Sequence, residues 1–481
     1  MKNTGSPVLP SARPRPVLPP RSSLPPALHS RRGFLKTAGL ASAASLLLPR
    51  GLFGQTRATP PNSRINIGII GLGKQVGGHL STFANDERCR VTAICDVDDE
   101  RLDYQKTRLM RMAAERGEKA AVACHKDFRA LLADPSIDAV VIVTPDHWHA
   151  IQAILAARAG KAIYCEKPMT FTIEEGRRVV EAVRAAGVVF QTGSQQRSDS
   201  GFRRAVQLAR SGLLGEIKEV WCNFGRRYPV IHNWPAEEVP PGMDWEMWIG
   251  PAVMRPYTSH FLPRMMSGAP PRPYGYDWGE WRWHLEYGNG LQADWGAHHL
   301  DIALWGLGAD GRGPRYVEVF PSQNPATPSD NRHISYTFAG GAKVVYGCPD
   351  PVKRESGGAT MVSFVGTEAT ASAARHGKFW VDKPSLRNVR FADGDRPGGD
   401  AAPVQVSDDH RANFIDAVLT GRPTICPAEI GRSSCNMCLV GNIAHLLGRS
   451  LEWDWRTGTF VGDEVANQYL WRENRGEWAR I

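Results

Sequence analysis

The 481-residue sequence predicts an α/β protein whose first half contains a parallel sheet. Two observations support this prediction. Apolar runs alternate with helical segments between residues 64 and 193, which is typical of βαβ units. Hydrophobic residues make up 42% of the chain and charged residues 22%, as in a globular protein, and the length suffices for two domains.

The apolar runs follow one another at intervals that leave room for crossover helices. They are RINIGIIGLG (64–73), CRVTAICDVD (89–98), DAVVIVTPDHWHA (138–150), GKAIYCEKPMT (160–170) and GVVFQTG (187–193). The first run leads into a helical pattern that continues to about Ala84, and the second also precedes a helical segment. We therefore expect these runs to be strands of one sheet.

The turn after the first strand is rich in glycine. Gly71, Gly73 and Gly78 lie where strand gives way to helix, so backbone amides there can face a pyrophosphate at the positive end of the helix. Asp96 ends the second strand and can accept hydrogen bonds from ribose hydroxyls, which favours NAD over NADP. Val76 departs from the G-x-G-x-x-G pattern, and an ordinary tight turn is the alternative interpretation.

The formal charge of +9 is concentrated near the N-terminus. Residues 1–58 contain nine Lys and Arg and no Asp or Glu, and the other 49 basic side chains balance the 49 acidic ones. A balanced body gives no reason to expect a nucleic-acid partner.

The basic leader has the order of an export signal. SRRGFLK (30–36) precedes the apolar TAGLASAASLLL (37–48), which is shorter than the roughly 20 residues that span a bilayer. We interpret residues 1–58 as a Pro-rich leader with a twin-arginine (Tat) signal, cleaved between residues 50 and 60. The prediction is a protein carried by the Tat machinery to the periplasm or beyond, and a disordered basic tail is the alternative.

The run LQADWGAHHLDIALW (291–305) concentrates ionisable residues. In a continuous helix Asp294, His298 and Asp301 share one face, while His299 is rotated away by about 100°. A carboxylate one turn before an imidazole can fix its tautomer, which suits a general base that takes a proton from an alcohol.

Two other interpretations of this run stay open. One histidine and two carboxylates could bind a metal, but H-E-x-x-H spacing is absent, and we predict no metal site. The run could also be a helix whose polar residues only cap and pair. The single C-x-x-C, Cys435 and Cys438, lies in a helical pattern and is expected to supply packing thiols rather than a redox or metal pair.

Three stretches, taken with the glycine turn, resemble the Gfo/Idh/MocA oxidoreductases, the family of glucose–fructose oxidoreductase and inositol dehydrogenase. They are VTPDHWHA (143–150), CEKP (165–168) and GNGLQADWGAHHLD (288–301). The resemblance extends from about Ile65 to the C-terminus. It implies a Rossmann domain over residues 64–192 and a C-terminal α/β domain with a large, mostly antiparallel open sheet over residues 193–481.

The resemblance also implies roles for individual residues. Lys167 matches the active-site lysine of the family, and Glu166 is its neighbour near the nicotinamide ribose. Asp294 and His298 match the second catalytic motif. The loop that passes the ribose and phosphates of the cofactor is matched by Thr144, Pro145 and His149. Lys167 is thus expected both to contact the cofactor and to polarise the substrate hydroxyl or relay its proton.

Tryptophans precede the catalytic run. WGEWRWHLEYG (278–288) is the candidate substrate wall, because aromatic faces stack on the C–H faces of sugar rings. Trp281, Trp283 and, at the rim, His299 are the expected substrate contacts. Core packing is the alternative for most of the tryptophans.

These features predict an exported NAD(P)-dependent oxidoreductase that acts on a sugar, sugar derivative or polyol. Because no free nicotinamide pool exists outside the cytoplasm, the NAD should be tightly bound. The alternative is a glycoside-cleaving enzyme that uses NAD transiently, although exported relatives of that kind tend to lack the lysine that Lys167 retains. A non-enzymatic sugar-binding protein is a third hypothesis. An open sheet face favours a homo-oligomer.

Overall fold

The computed structural model describes residues 64–224, 227–263, 278–320, 333–346, 361–391 and 404–481. The predicted export leader, residues 1–58, lies outside the described residues.

Six parallel strands within these ranges form the first sheet, in the order β3-β2-β1-β4-β5-β6. They are β1 (Ile65–Ile70), β2 (Cys89–Cys95), β3 (Ala123–His125), β4 (Ala139–Ile142), β5 (Ala162–Cys165) and β6 (Phe190–Thr192). The predicted parallel sheet is confirmed. Only β3 was missed, because its three residues lie at the sheet edge and are largely exposed, so they carry no apolar pattern.

Helices connect these strands, as the alternating pattern predicts. They are α1 (Val76–Asn85), α2 (Asp99–Glu115), α3 (Phe128–Ala133), α4 (Asp146–Arg158) and α5 (Ile173–Ala186). Side chains define several of their starts. Asp98 caps α2 by accepting from the Glu100 amide, and Thr172 and Glu175 form a reciprocal capping box at α5.

The second sheet is open and mostly antiparallel, as the resemblance implies. Its order is β13-β12-β11-β7-β10-β9-β8-β14-β15, and β7 pairs with β10 in parallel. The strands are β7 (Ile217–Cys222), β8 (Tyr316–Phe320), β9 (His333–Thr337), β10 (Lys343–Tyr346), β11 (Val362–Gly366), β12 (Thr370–Ala374), β13 (Lys378–Val381), β14 (Leu451–Asp454) and β15 (Thr459–Phe460).

Seven further α-helices occur in the described part of this half. They are α6 (Ser200–Arg210), α7 (Trp245–Ile249), α8 (Gly290–Asp294), α9 (Gly296–Gly306), α10 (His410–Thr420), α11 (Ala428–Leu447) and α12 (Glu464–Asn467). Helices α9 and α11 pack together beneath the sheet. Cys435 and Cys438 are buried on α11 as free thiols, so they pack as predicted. No helix in the described ranges combines the length and apolarity needed to cross a bilayer.

Candidate active site

A cleft of about 770 Å³ opens at the carboxyl ends of β1, β2, β4 and β5. This volume lies within the roughly 300–1,000 Å³ of small-molecule sites. Strand β1 lies between β2 and β4, so the cleft begins where the chain reverses its direction across the sheet, the usual ligand position in such folds. Its far wall comes from the second half of the chain, through residues such as Trp281, Asp294 and Arg375.

The glycine turn forms one edge of the cleft, with Gly71 and Gly73 among its lining residues. Gly71 has φ +91°, and a Cβ there would lie 2.7 Å from the Val143 carbonyl carbon. At Gly73 the nearest atom to such a Cβ is Arg101 Nη1, at 3.6 Å. The backbone conformation therefore requires glycine at position 71. At position 73 the absence of a side chain leaves space in the cleft.

Gly78 does not line the cleft, which corrects its assignment to the cofactor. Helix α1 already begins at Val76, so Gly78 lies inside the helix rather than in the turn. A Cβ at Gly78 would approach Arg411 Nη2 to 2.9 Å. This glycine thus makes room for Arg411, which itself reaches the cleft.

The two turn glycines give a matched pair of variants. We expect Gly71→Ala to lower the free energy of unfolding by about 1–3 kcal/mol, because alanine is strained at positive φ and its methyl meets backbone. Gly73→Ala should leave stability within about 0.5 kcal/mol but weaken NAD binding, since its methyl enters the cleft. Urea unfolding and isothermal titration with NAD separate the two effects. Equal destabilisation by both substitutions would contradict this assignment.

Asp96 follows β2 and lines the same edge of the cleft. One carboxylate oxygen accepts from the Leu72 amide at 2.6 Å, and the other accepts from the Asp98 amide at 3.1 Å. Arg101 Nη1 lies 3.9 Å from Asp96. The carboxylate is therefore held beside the turn, where an anionic acceptor for ribose hydroxyls is expected.

The loop after β4 supplies Thr144, Pro145 and His149, and all three line the cleft. Both ring nitrogens of His149 face carbonyl oxygens: Nδ1 lies 2.7 Å from Pro168 O, and Nε2 lies 2.8 Å from Thr144 O. Burial lowers the pKa of His149, so the neutral ring donates to only one of them. This histidine ties together the two loops that follow β4 and β5.

Glu166, directly after β5, is buried in a chain of polar contacts. Arg411 Nε donates to His79 Nδ1 at 3.1 Å, and His79 Nε2 lies 2.8 Å from Glu166 Oε1. Because an arginine can only donate, Nδ1 accepts and Nε2 carries the proton. Gln195 also donates to Glu166, at 2.6 Å. Burial opposes ionisation of Glu166, but the His79 hydrogen bond and the nearby cations lower its pKa to about 2.

Lys167 and Asp294 meet across the cleft. Lys167 Nζ lies 2.5 Å from Asp294 Oδ1 and 3.0 Å from the Asp294 carbonyl oxygen, and Arg282 Nε lies 3.9 Å from Oδ2. Burial raises the pKa of Asp294, but attraction to Lys167 and Arg282 outweighs burial, so the pKa lies below its ordinary value. The partner of Asp294 is therefore Lys167. The spacing within the run had suggested His298 instead.

The segment is not one continuous helix, because α8 ends at Asp294 and α9 begins at Gly296. Asp301 does not share a functional face with Asp294. It is fully buried and binds Arg197 through two hydrogen bonds of 2.7 and 2.8 Å. Spacing within one segment could not reveal a partner that comes from another element, so Asp301 belongs to the core.

His298 lines the cleft near Lys167. Its buried Nδ1 has no hydrogen-bond partner among the described residues, which leaves Nε2 as the nitrogen available to the cleft. Burial, followed by the charges of Lys167 and Arg375, places the pKa of His298 well below its ordinary value. The imidazole is thus neutral.

His299 is not a cleft residue, which corrects its assignment to the substrate. It is buried, and its ring centroid lies 5.6 Å from that of Phe224 and 5.8 Å from that of Trp295. One step along α9 turns the side chain by about 100°, from the cleft into the core.

The expected substrate wall does face the cleft. Trp281 and Trp283 line it, and so does Arg282 between them, whose Cζ lies 4.4 Å from the Trp281 ring centre. Two further ionisable residues there were missed. Asp146 begins α4, where burial raises its pKa to about 7, and Arg375 comes from the turn after β12. Asp146 lies within the stretch VTPDHWHA, where only Thr144, Pro145 and His149 were assigned, whereas the stretch around Arg375 has no local pattern that indicates a site.

Clusters of three or more histidine, cysteine or carboxylate residues suited to a metal ion are absent from the described part of the chain.

Comparison with known proteins shows which family the two halves of the chain match. Two family profiles match the chain: the NAD-binding Rossmann fold of an oxidoreductase family over residues 65–194, and its C-terminal α/β domain over residues 220–357 and 400–480. A myo-inositol 2-dehydrogenase from Thermotoga maritima is 30% identical over 152 residues, which is 32% of this chain and 42% of that protein.

A glycosyl hydrolase family 109 protein from Shewanella pealeana is 29% identical over 212 residues, which is 39% of this chain and 44% of that protein. Each match thus spans less than half of the curated relative. The crystal structure of an aldose-aldose oxidoreductase from Caulobacter crescentus shares the fold, with 18% identity, a TM-score of 0.51, and coverage of 81% of this chain and 100% of that one. The chain belongs to the Gfo/Idh/MocA family of NAD-binding oxidoreductases.

Proposed function

We propose that the protein is an exported oxidoreductase that oxidises or reduces a hydroxyl-bearing carbon of a sugar, sugar derivative or polyol with a tightly held NAD. One observation supports this proposal above the others. The ion pair of Lys167 and Asp294 and the neutral His298 line the same cleft as the glycine turn and Asp96. A dinucleotide along the first sheet would end beside groups that can move a proton.

The residues at the cleft edge suit a dinucleotide. Gly73 leaves space at the turn, and Asp96 supplies an anionic acceptor for ribose hydroxyls. Thr144 follows β4 and Glu166 follows β5, and both line the same cleft. A bound nicotinamide ring would supply the hydride acceptor or donor for the reaction.

The side chains of this protein would handle the proton. Lys167 uses two of its three N–H groups on Asp294, which leaves one to donate to a substrate oxygen. Asp294 holds the ammonium in place. His298, neutral and facing the cleft, is the base that would take the hydroxyl proton.

Export and retention of the cofactor are linked. The twin-arginine leader at residues 1–58 supports export of a folded protein, and outside the cytoplasm NAD could not be replenished from a free pool. The cofactor would therefore stay bound and be recycled by a second substrate.

Mass spectrometry of the denatured protein tests this proposal. The full chain, isolated from the periplasm of a bacterium with a Tat system, is expected to release about one NAD per chain. A control variant in which both arginines of the signal are replaced, Arg31→Lys with Arg32→Lys, should accumulate in the cytoplasm, because the export signal would be lost. Periplasmic protein that contains no nicotinamide nucleotide would contradict the proposal.

The second candidate function is glycoside cleavage with transient oxidation. The glycosyl hydrolase family 109 relative favours it, whereas retention of Lys167 favours net oxidation. The two differ in their balance of products. A glycosidase releases sugar from an aryl glycoside with no acceptor consumed, whereas the oxidoreductase reduces one molecule of a second substrate for each molecule of sugar oxidised.

An oligomer is also proposed, because the open second sheet presents a face that a second copy could cover. Light scattering of the purified protein gives its mass directly.

A further inference from the structure

We propose that the substrate carries a carboxylate, so that it is a sugar acid rather than a neutral sugar, and that Arg375 binds this group. The inference rests on the proposed function in that it concerns the substrate of the same cleft. Three observations support it: the position of Arg375 on the cleft wall, the absence of a hydrogen-bond acceptor for its guanidinium among the described residues, and the match between a guanidinium and a carboxylate.

Arg375 lies on a turn that the fold holds in place. The turn joins β12, which ends at Ala374, to β13, which begins at Lys378. Asp199 accepts hydrogen bonds from the amide of His376 at 2.8 Å and from that of Gly377 at 3.2 Å. His376 adopts φ +66°. The anchored turn positions Arg375 on the cleft wall, with its Cζ 4.6 Å from the Trp295 ring centre.

The guanidinium of Arg375 has no hydrogen-bond acceptor among the described residues, although it is half-buried. Two other cations of the cleft contact carboxylates: Lys167 binds Asp294, and Lys126 lies 3.1 Å from Asp99. A half-buried guanidinium without an acceptor loses solvation with no compensating hydrogen bond. A ligand that brings an anion to this position would supply the missing acceptor.

Cations and carboxylates lie close together around the catalytic centre. Lys167, Arg282 and Arg375 lie close enough to attract the carboxylate of Asp294, and Arg375 also attracts Asp199. Glu166 adds a further negative charge at the same cleft. These acids offset the cations in number, so the feature that distinguishes Arg375 is its missing hydrogen-bond acceptor and not an excess of positive charge.

The shape of a guanidinium favours a carboxylate. It presents a planar fork that matches the two oxygens of a carboxylate, and Arg375 donates to neither a carbonyl nor a carboxylate oxygen among the described residues. Its charge is also felt by His298. A carboxylate bound to Arg375 would thus hold neighbouring hydroxyls of the sugar near Lys167 and His298.

Tryptophan fluorescence provides a binding assay, because Arg375 stacks on Trp295 in a cleft rich in tryptophan. The full-length protein with its NAD is titrated with glucuronate, galacturonate, glucose, galactose and glucose 6-phosphate. We expect at least one uronate to bind about 10- to 100-fold more tightly than its parent hexose, the range for a hydrogen bond to a charged group.

Three variants test whether Arg375 is responsible for the preference for uronates over hexoses. Arg375→Gln should reduce the ratio of hexose to uronate dissociation constants to about 1, because the cation is lost. Arg375→Lys should retain part of the ratio, since it keeps the charge without the fork. Lys378→Gln is the matched control: it removes one positive charge from an exposed position on the same hairpin, outside the cleft, and should keep the wild-type ratio.

Three outcomes would overturn the inference: uronates that bind no better than hexoses, a glutamine variant that keeps the wild-type ratio, or tighter binding of glucose 6-phosphate than of any uronate. The proposed function has a separate test, because NAD content and absorbance changes near 340 nm do not enter this assay. Uronate binding without turnover would count against the proposed oxidoreductase activity but would still support a carboxylate-binding site at Arg375.

Discussion

Replacing Lys167 with methionine is expected to lower kcat by about 10³-fold, the effect of removing a positioned proton donor from a buried site. The methionine keeps most of the side-chain volume but removes the ammonium that contacts Asp294 at 2.5 Å. The loss is measured by steady-state kinetics of sugar oxidation in the presence of a second substrate that reoxidises the bound cofactor.

Two controls separate chemistry from folding. Lys218→Met alters an exposed lysine that pairs with Glu216 at the surface, so kcat should stay within about twofold of the wild type. The double variant Lys167→Met with Asp294→Asn removes the carboxylate that the single variant leaves unpaired. If the double variant regained wild-type kcat, Lys167 would only neutralise Asp294 and would not act on the substrate.

Replacing Arg197 with methionine should lower the free energy of unfolding by about 3–5 kcal/mol, because it leaves buried carboxylates without their cation. Arg197 is 1% exposed and binds Asp301, which is 0% exposed, and it also binds Asp310 at 2.7 Å. This ion pair ties α9, the helix that carries His298, to the segment that follows β6. Chemical denaturation measures the loss.

The matched control for this substitution is Arg177→Met. Arg177 pairs with Glu174 and Glu181 on the surface of α5, where an ion pair contributes about 0–1 kcal/mol. A further variant, Arg197→Met with Asp301→Leu, should recover part of the stability, since it no longer buries the Asp301 charge. Equal losses for Arg197→Met and Arg177→Met would show that the buried pair does not anchor α9.

The sequence predicted those parts of the fold whose signals are local. The strand, glycine turn and helix at residues 65–85 are encoded in consecutive residues, and the structure places Asp96 and the Glu166–Lys167 pair at the same cleft. The parallel sheet appears as this pattern predicts, whereas the open antiparallel sheet was expected only from the family resemblance. In these segments the hydrophobic period and the turn residues determine the local structure.

Predictions about side-chain partners failed where the partner is distant in sequence. The helical spacing of Asp294 and His298 suggested a pair, but an ammonium 127 positions away binds Asp294 instead. Arg411 reaches His79 across 332 positions, and this contact explains why Gly78 has no side chain. Residues contributed by tertiary packing have no signature in a single sequence.

We expect NAD to lie along the first sheet with its nicotinamide ring beside Lys167, Asp294 and His298. A crystal structure of the full chain with NAD would test this placement. The adenosine ribose should bind at Asp96, the diphosphate at the Gly73 turn, and the nicotinamide ring should contact Lys167. A nicotinamide bound away from these three side chains, or NAD absent from this cleft, would contradict the proposed binding mode.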